Sequence, residues 1–253
     1  MVLKTFGIIL TTTLVLTGCG GGNGSFCGYD AFGDPLFCQV NQPLPPLPPP
    51  VASTASFNVT QAMMNIASQQ YTFHVSSADS YGNVYTIAYS SSAGQPAPFG
   101  SVQASTANVS QTLFENGAAQ QTINTTNYFV LSPYQLLGSE TTLAGGSEVV
   151  NSWQAPPVTG TVGQTFPSLT ATLYHDASNA VIDGTLSETI GLSPDTASTA
   201  LLCLIDSMQL TQAGINDQLN GGTTSNCFRI DPLGNVLGMQ ITTPIYGMQM
   251  LFY

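Results

Sequence analysis

Beyond residue 70 apolar side chains alternate with polar ones along most of the chain, and this period of two predicts β-strands with one buried face. Tyr71, Phe73 and Val75 alternate with Thr72, His74 and Ser76. The turn Asp79-Ser80-Tyr81-Gly82-Asn83 then leads into Tyr85, Ile87 and Tyr89, which makes a hairpin with one wet face. Asn116-Gly117 separates 109–114 from 121–131, and Asn-Gly is the strongest short hairpin signal. Further strands are predicted over 169–175 and 181–192, flanking the turn 176–180, and over 236–242 after Asp231-Pro232-Leu233-Gly234-Asn235. Leu201-Leu202-Cys203-Leu204-Ile205 lacks alternation, which predicts a strand buried on both faces. Tyr246, Met248, Met250 and Phe252 alternate to the end. This pattern fits a final core strand and looks only loosely like the last strand of an outer-membrane barrel.

One segment has the other period. Val59, Ala62, Met63, Ile66 and Ala67 recur at helical spacing, behind a candidate N-cap at Asn58 with Gln61 three residues on and Phe57 as a staple. The expected fold is mainly β, an antiparallel sheet forming a sandwich or half-barrel with one short N-terminal helix. The β domain is expected over 53–253. Hairpins of similar length suggest two similar halves, 53–140 and 160–253, with the Gly- and Pro-containing stretch 138–163 as a hinge.

Ahead of that domain the pattern changes. Lys4 and an apolar run from Phe6 to Leu16 read as an export signal, too short to span a bilayer comfortably. The run ends in Leu16-Thr17-Gly18-Cys19, which resembles the lipobox of bacterial lipoproteins. The resemblance covers about twenty residues. It implies removal of 1–18, a diacylglyceryl group on the Cys19 sulfur and acylation of the new amino terminus. With Gly20 behind the cysteine, it also favours the outer membrane. Residues 19–52 then form a tether, glycine-rich at first and ending in Pro43-Leu44-Pro45-Pro46-Leu47-Pro48-Pro49-Pro50, a stiff polyproline II spacer.

Charge narrows the partners. The 253 residues hold two Lys and Arg against thirteen Asp and Glu, and loss of Lys4 with the signal leaves Arg229 alone. Nucleic acid is excluded as a partner, because phosphate neutralisation needs clustered basic residues. Anionic headgroups do not attract such a surface either, so the membrane is reached through lipid on Cys19.

The remaining cysteines, Cys27, Cys38, Cys203 and Cys227, are even in number and read as disulfides in an exported chain. Three pairings are possible, and position favours Cys27 with Cys38 and Cys203 with Cys227. A metal site on these thiols is disfavoured by the lack of a Cys-x-x-Cys pair.

Candidate chemistry is sparse. The sequence has no Gly-x-Ser-x-Gly, Ser-x-x-Lys, His-Glu-x-x-His or glycine-rich dinucleotide loop, and no Asp-x-Asp-x-Asp-Gly calcium loop. No catalytic, cofactor-binding or metal-binding residue is assigned. His175-Asp176 has the composition of two members of a hydrolase triad, but neighbours on a strand point to opposite faces, so the pair reads as a hairpin end. Arg229 is expected to pair with Asp231, and Trp153 to pack in the hinge rather than serve as a sugar platform. The function expected is that of a lipid-anchored protein of the bacterial cell envelope, a binding or structural module for an envelope protein or a glycan. The rival is an envelope hydrolase acting on glycan or ester bonds, since two carboxylates suffice for glycoside chemistry.

Overall fold

The computed structural model describes residues 50, 52–142, 146–217, 219, 221–245 and 247–253, together with the backbone of a hairpin formed by β1 (Ser25–Tyr29) and β2 (Pro35–Cys38). The lipobox, the polyproline run and the Cys27–Cys38 pairing fall outside what is described.

After β3 (Ser56–Asn58) and α1 (Val59–Ser68) the chain runs up and down through β4 (Tyr71–Ala78), β5 (Val84–Ala93), β6 (Ala97–Phe99), β7 (Val102–Glu115), β8 (Ala118–Leu131) and β9 (Tyr134–Thr141). It continues through β10 (Ser147–Trp153), β11 (Thr159–Thr161), β12 (Thr165–Tyr174), β13 (Ile182–Pro194), β14 (Ala200–Leu210), α2 (Gln212–Asn216), β15 (Gly222–Ile230), β16 (Val236–Ile245) and β17 (Met248–Phe252). Twelve of these strands form one antiparallel path, β4-β5-β7-β8-β9-β10-β12-β13-β14-β15-β16-β17, with β6 added beside β7. The two ends of the path meet. Ser76 N–H donates to the Tyr253 carbonyl and Tyr253 N–H to the Ser76 carbonyl, both at 3.1 Å, so the sheet is nearly closed into a barrel.

The mainly antiparallel β reading therefore holds, in a sheet that curls into one near-continuous wall instead of two packed layers. There is also a second short helix, α2, which the sequence pattern does not announce. The stretch 138–163 supplies β10, hydrogen-bonded to β9 on one side and β12 on the other, and β11, which pairs with β3.

Turn chemistry explains several of the reversals. Asn116 and Gly117 have φ of 50° and 83°, the left-handed pair that a two-residue hairpin needs. Asp79 Oδ1 accepts from the backbone N–H of Tyr81 and Asn83, and Asp231 Oδ1 does the same for Leu233 and Asn235.

Helix α1 starts as its sequence dictates, with Asn58 Oδ1 accepting from Gln61 N–H at 3.0 Å. The capping box is only half made, since Gln61 Nε2 reaches forward to Asn65 Oδ1 and the Asn58 N–H donates to the Pro232 carbonyl. Val59 N–H donates to Val158 O, and Asn65 Nδ2 donates to Gly234 O at 2.8 Å. These partners lie in the connections after β10 and β15, so α1 sits at that end of the barrel. Its apolar face, Val59, Ala62, Met63 and Ile66, packs with Ile87, Leu113, Leu204, Phe228 and Ile241 from strands all round the wall. The Met63 side chain is core, as the helical spacing implies. Met250 and Phe252 of β17 face the same core.

Inward positions are not all apolar. Glu188 on β13 is directly opposite Asp206 on β14, and the two are 3% and 1% exposed. Ser168 Oγ donates to Glu188 Oε1 at 2.7 Å. Burial above all, and then the neighbouring Glu188, push the Asp206 carboxyl well above the usual carboxylate range, with Glu148 adding to the effect. Burial also raises Glu188. The folded protein therefore binds protons at this pair more tightly than the unfolded chain does. The resulting stabilisation is complete below the unfolded carboxylate range and is lost as pH rises towards the elevated folded values. Asp206→Asn should flatten that decline in denaturant melts between pH 4 and pH 8, and should be more stable than the parent at pH 8 by about 1–3 kcal/mol. Parallel pH profiles for the two proteins would contradict it.

Candidate functional site

The end of the barrel opposite α1 carries the α2 connection and the β12–β13 turn, and these two bring together a group of side chains that no local motif reveals. His175 follows β12, and its N–H donates to the Val181 carbonyl at 3.0 Å to close the hairpin. Asp176 turns into its own loop, where Oδ1 accepts from Ser178 N–H at 2.9 Å. It is therefore not the partner of His175.

That partner is Asp217, forty-two residues on, whose Oδ2 accepts from His175 Nδ1 at 2.7 Å. Helix α2 delivers it. Thr211 caps α2 by accepting from Gly214 N–H at 3.3 Å, and its own N–H donates to the Asp183 carbonyl at 2.8 Å. A Cβ at Gly214 would overlap that same carbonyl, so glycine lets α2 lie directly on the start of β13.

Asp183 completes the group. One ligand-type atom from each of His175, Asp183 and Asp217 lies within 4.8 Å of the others. Asp183 is fully buried, whereas the His175 and Asp217 side chains are 45% and 23% exposed. The hydrogen bond that His175 donates to Asp217, and then the Asp217 charge, hold the His175 imidazolium pKa up, and Asp183 and Asp176 contribute in the same direction. The hydrogen bond of His175 to Asp217 orients the imidazole as in a hydrolase dyad, and among the described residues no hydroxyl or thiol is seen hydrogen-bonded to its other nitrogen.

A second feature lies on the outer wall. A groove of about 460 Å³ crosses β5, β7, β8 and β9, lined by Ser90, Asn108, Ser110, Asn124, Thr126 and Glu140 among others, with Ala177 of the β12–β13 turn at its margin. Its polar side chains pair across strands, as in Thr126 donating to Asn108 Oδ1 at 3.2 Å. Glu140 Oε2 accepts from the Tyr128 hydroxyl at 3.0 Å.

Of the residues singled out in the sequence, Cys203 and Cys227 are directly opposite on β14 and β15 and form a disulfide. It lies on the outer face beneath a more apolar groove of about 370 Å³ that includes Leu201 and Ile205. Leu202 and Leu204 face inward, so the run 201–205 is buried on both faces through two different clusters.

Arg229 does not pair with Asp231, which is engaged in its own turn. It grips Asp195 in a bidentate contact, Nε to Oδ2 at 2.7 Å and Nη2 to Oδ1 at 2.9 Å. Partial burial opposes ionisation of Asp195, but Arg229 and Thr199 outweigh it and hold that carboxyl below its ordinary value. Trp153 stacks edge-on against Tyr134 at 5.4 Å and packs on a core cluster, so it is no exposed sugar platform.

The paired carboxylates Glu188 and Asp206 have the composition of a glycosidase pair but not its access. The cavity beside Glu188, bounded by Met63, Ile66, Asn127, Tyr134 and Trp153, measures about 20 Å³, room for a water and not for a sugar ring. Comparison with protein-family models, with curated proteins and with solved structures finds no match for this chain.

The disulfide closes a span of twenty-four residues, which contributes about 3 kcal/mol by restricting the unfolded chain. Cys203→Ala with Cys227→Ala should lower the denaturation midpoint accordingly, and an unchanged midpoint would contradict the assignment of a stabilising bridge.

Proposed function

We propose that this is a lipid-anchored protein of the bacterial cell envelope, tethered through Cys19, whose barrel acts as a binding module for a neutral polyhydroxylated ligand, a glycan, along the groove on β5, β7, β8 and β9. One observation carries the reading. The outer wall presents a groove of about 460 Å³ lined by Ser, Thr and Asn side chains, with Glu140 at one side. Hydroxyl and amide groups set on a rigid sheet are the donors and acceptors that sugar hydroxyls match, and they need no basic residue to do so.

Two further observations fit. The described chain enters the barrel at the α1 end, through β3, so a tether would join the barrel there and leave the outer wall of β5, β7, β8 and β9 uncovered by β3 and α1. Outward positions such as Thr86, Ser90, Thr112, Asn124, Thr172 and Ser187 are polar and suited to water, while most of the large apolar side chains point inward, apart from the outer cluster around Leu201 and Ile205. The barrel therefore stands off the bilayer, and the acyl chains on Cys19 hold it there. The competing hydrolase reading has less support: the buried carboxylate pair is walled in, and among the described residues no nucleophile is seen hydrogen-bonded to the His175–Asp217 dyad.

The reading has two experimental arms. Cys19→Ser should move the protein from the membrane to the soluble fraction and abolish labelling by a fatty-acid analogue, and retention with unchanged labelling would overturn the anchor. Binding to purified envelope polysaccharide should be saturable and should weaken about tenfold or more in Asn124→Ala with Asn108→Ala, which removes two groove side chains. Absence of polysaccharide binding, or the same affinity in the double variant, would overturn the groove assignment.

A further inference from the structure

We propose that His175, Asp183 and Asp217 form a binding site for a divalent transition-metal ion of the zinc class. The inference goes beyond the glycan reading and does not depend on it. The three residues come from three separate segments, the turn after β12, the start of β13 and the segment after α2, and each offers a ligand atom within 4.8 Å of the other two.

The donor set selects the ion. One imidazole nitrogen with two carboxylate oxygens suits zinc and its neighbours, whereas calcium and magnesium favour sites made of oxygen alone. Three protein ligands leave a coordination position for water or for a ligand atom, and the exposed sides of His175 and Asp217 keep that position open to solvent.

The site is firmly built on its inner side. Asp183 is fully buried, its backbone carbonyl is held by Thr211 N–H at 2.8 Å and Thr211 Oγ1 at 3.1 Å, and Gly214 packs against it. The solvent side is adjustable. The 2.7 Å separation of His175 Nδ1 and Asp217 Oδ2 is that of a hydrogen bond, and small side-chain rotations convert it into the wider edge of a metal tetrahedron.

Charge gives an independent reason. Asp176, Asp183 and Asp217 all lie around this imidazole, as the electrostatics of His175 show. The one Arg or Lys among the described residues, Arg229, is committed to Asp195 in the connection between β13 and β14, at the other end of the barrel. A cation that balances this cluster other than His175 itself must therefore come from solution. A metal ion here ties α2 to the β12–β13 turn, and Ala177 of that turn borders the groove, so occupancy would also set the groove's margin.

The test is titration of the full-length chain carrying Cys19→Ala with Zn²⁺ by isothermal calorimetry, after stripping with a chelator and in a buffer that does not bind zinc. The expected result is a saturable site of one ion per chain, weakened about tenfold or more in His175→Ala and in Asp217→Ala. Both variants alter partly exposed side chains, and their circular dichroism should match the parent. His74→Ala, which removes the other histidine on β4, should bind as the parent does. Absence of saturable binding, equal affinity in His175→Ala and Asp217→Ala, or loss of binding in His74→Ala would overturn the proposal. Displacement of Zn²⁺ by equimolar Ca²⁺ or Mg²⁺ would overturn the choice of ion.

Discussion

A ring of twelve strands encloses more space than its own inward side chains can fill, because eight strands already make an interior of about side-chain width. Filling that space is the constraint on which the rest of this structure depends. Helix α1 is the solution at one end: its apolar face touches core residues from several sides of the wall, and its polar face caps that mouth with Asn58 and Asn65 bonded to the β15–β16 connection. Further along, the filling changes character. Glu148, Glu188, Asp206 and Asn226 point inward and are almost completely buried, so the interior contains a polar band beside its apolar clusters. Such a band costs stability when ionised, and the raised carboxyl pKa of Asp206 expresses that cost as a preference for the protonated form.

Closure also determines what the outside has to be. With most of the apolar side chains committed inward, the outward positions of most strands are left to Ser, Thr, Asn and Gln, whose cross-strand hydrogen bonds stiffen a surface that carries few charges; β14 and β15 are the exception, with Leu201, Ile205 and the disulfide facing out. The groove on β5, β7, β8 and β9 is a product of that surface, and the proposed glycan binding uses the same hydroxyl and amide groups that solvate the wall. The almost cation-free composition fits this account. Neither the groove nor the interior employs a basic side chain, and Arg229 serves a local bidentate pair with Asp195.

Much of the local structure was legible in the sequence. The cap at Asn58, the Asn116-Gly117 reversal, the turns led by Asp79 and Asp231, and the inward phase of Tyr85, Ile87 and Tyr89 depend on neighbours within a few residues. The disulfide was legible because its two cysteines stand close in sequence. What was hidden depends on closure. Ser76 and Tyr253 meet only once the whole ring has formed, and Asp217 reaches His175 only because α2 docks on Asp183. The Arg229 partner was misjudged for a related reason: Asp231 is near in sequence but occupied by its own turn, while Asp195 is supplied by the neighbouring β13–β14 connection. One signal was present and is physically interpretable: Glu188 falls in phase with Leu186 and Ile190, so an acidic residue occupies a core-facing position, an arrangement that places a carboxyl inside.

The central claim is that α1 is an integral part of the barrel core and not a lid resting on a finished barrel. Amide hydrogen exchange measured on the native chain tests it most directly. The account predicts that the hydrogen-bonded amides of α1 and those of β4 and β17 exchange only through the opening that exposes the central strands β13 and β14, with the same free energy and the same denaturant dependence. Rapid, denaturant-independent exchange throughout α1 while β13 and β14 stay protected would contradict it.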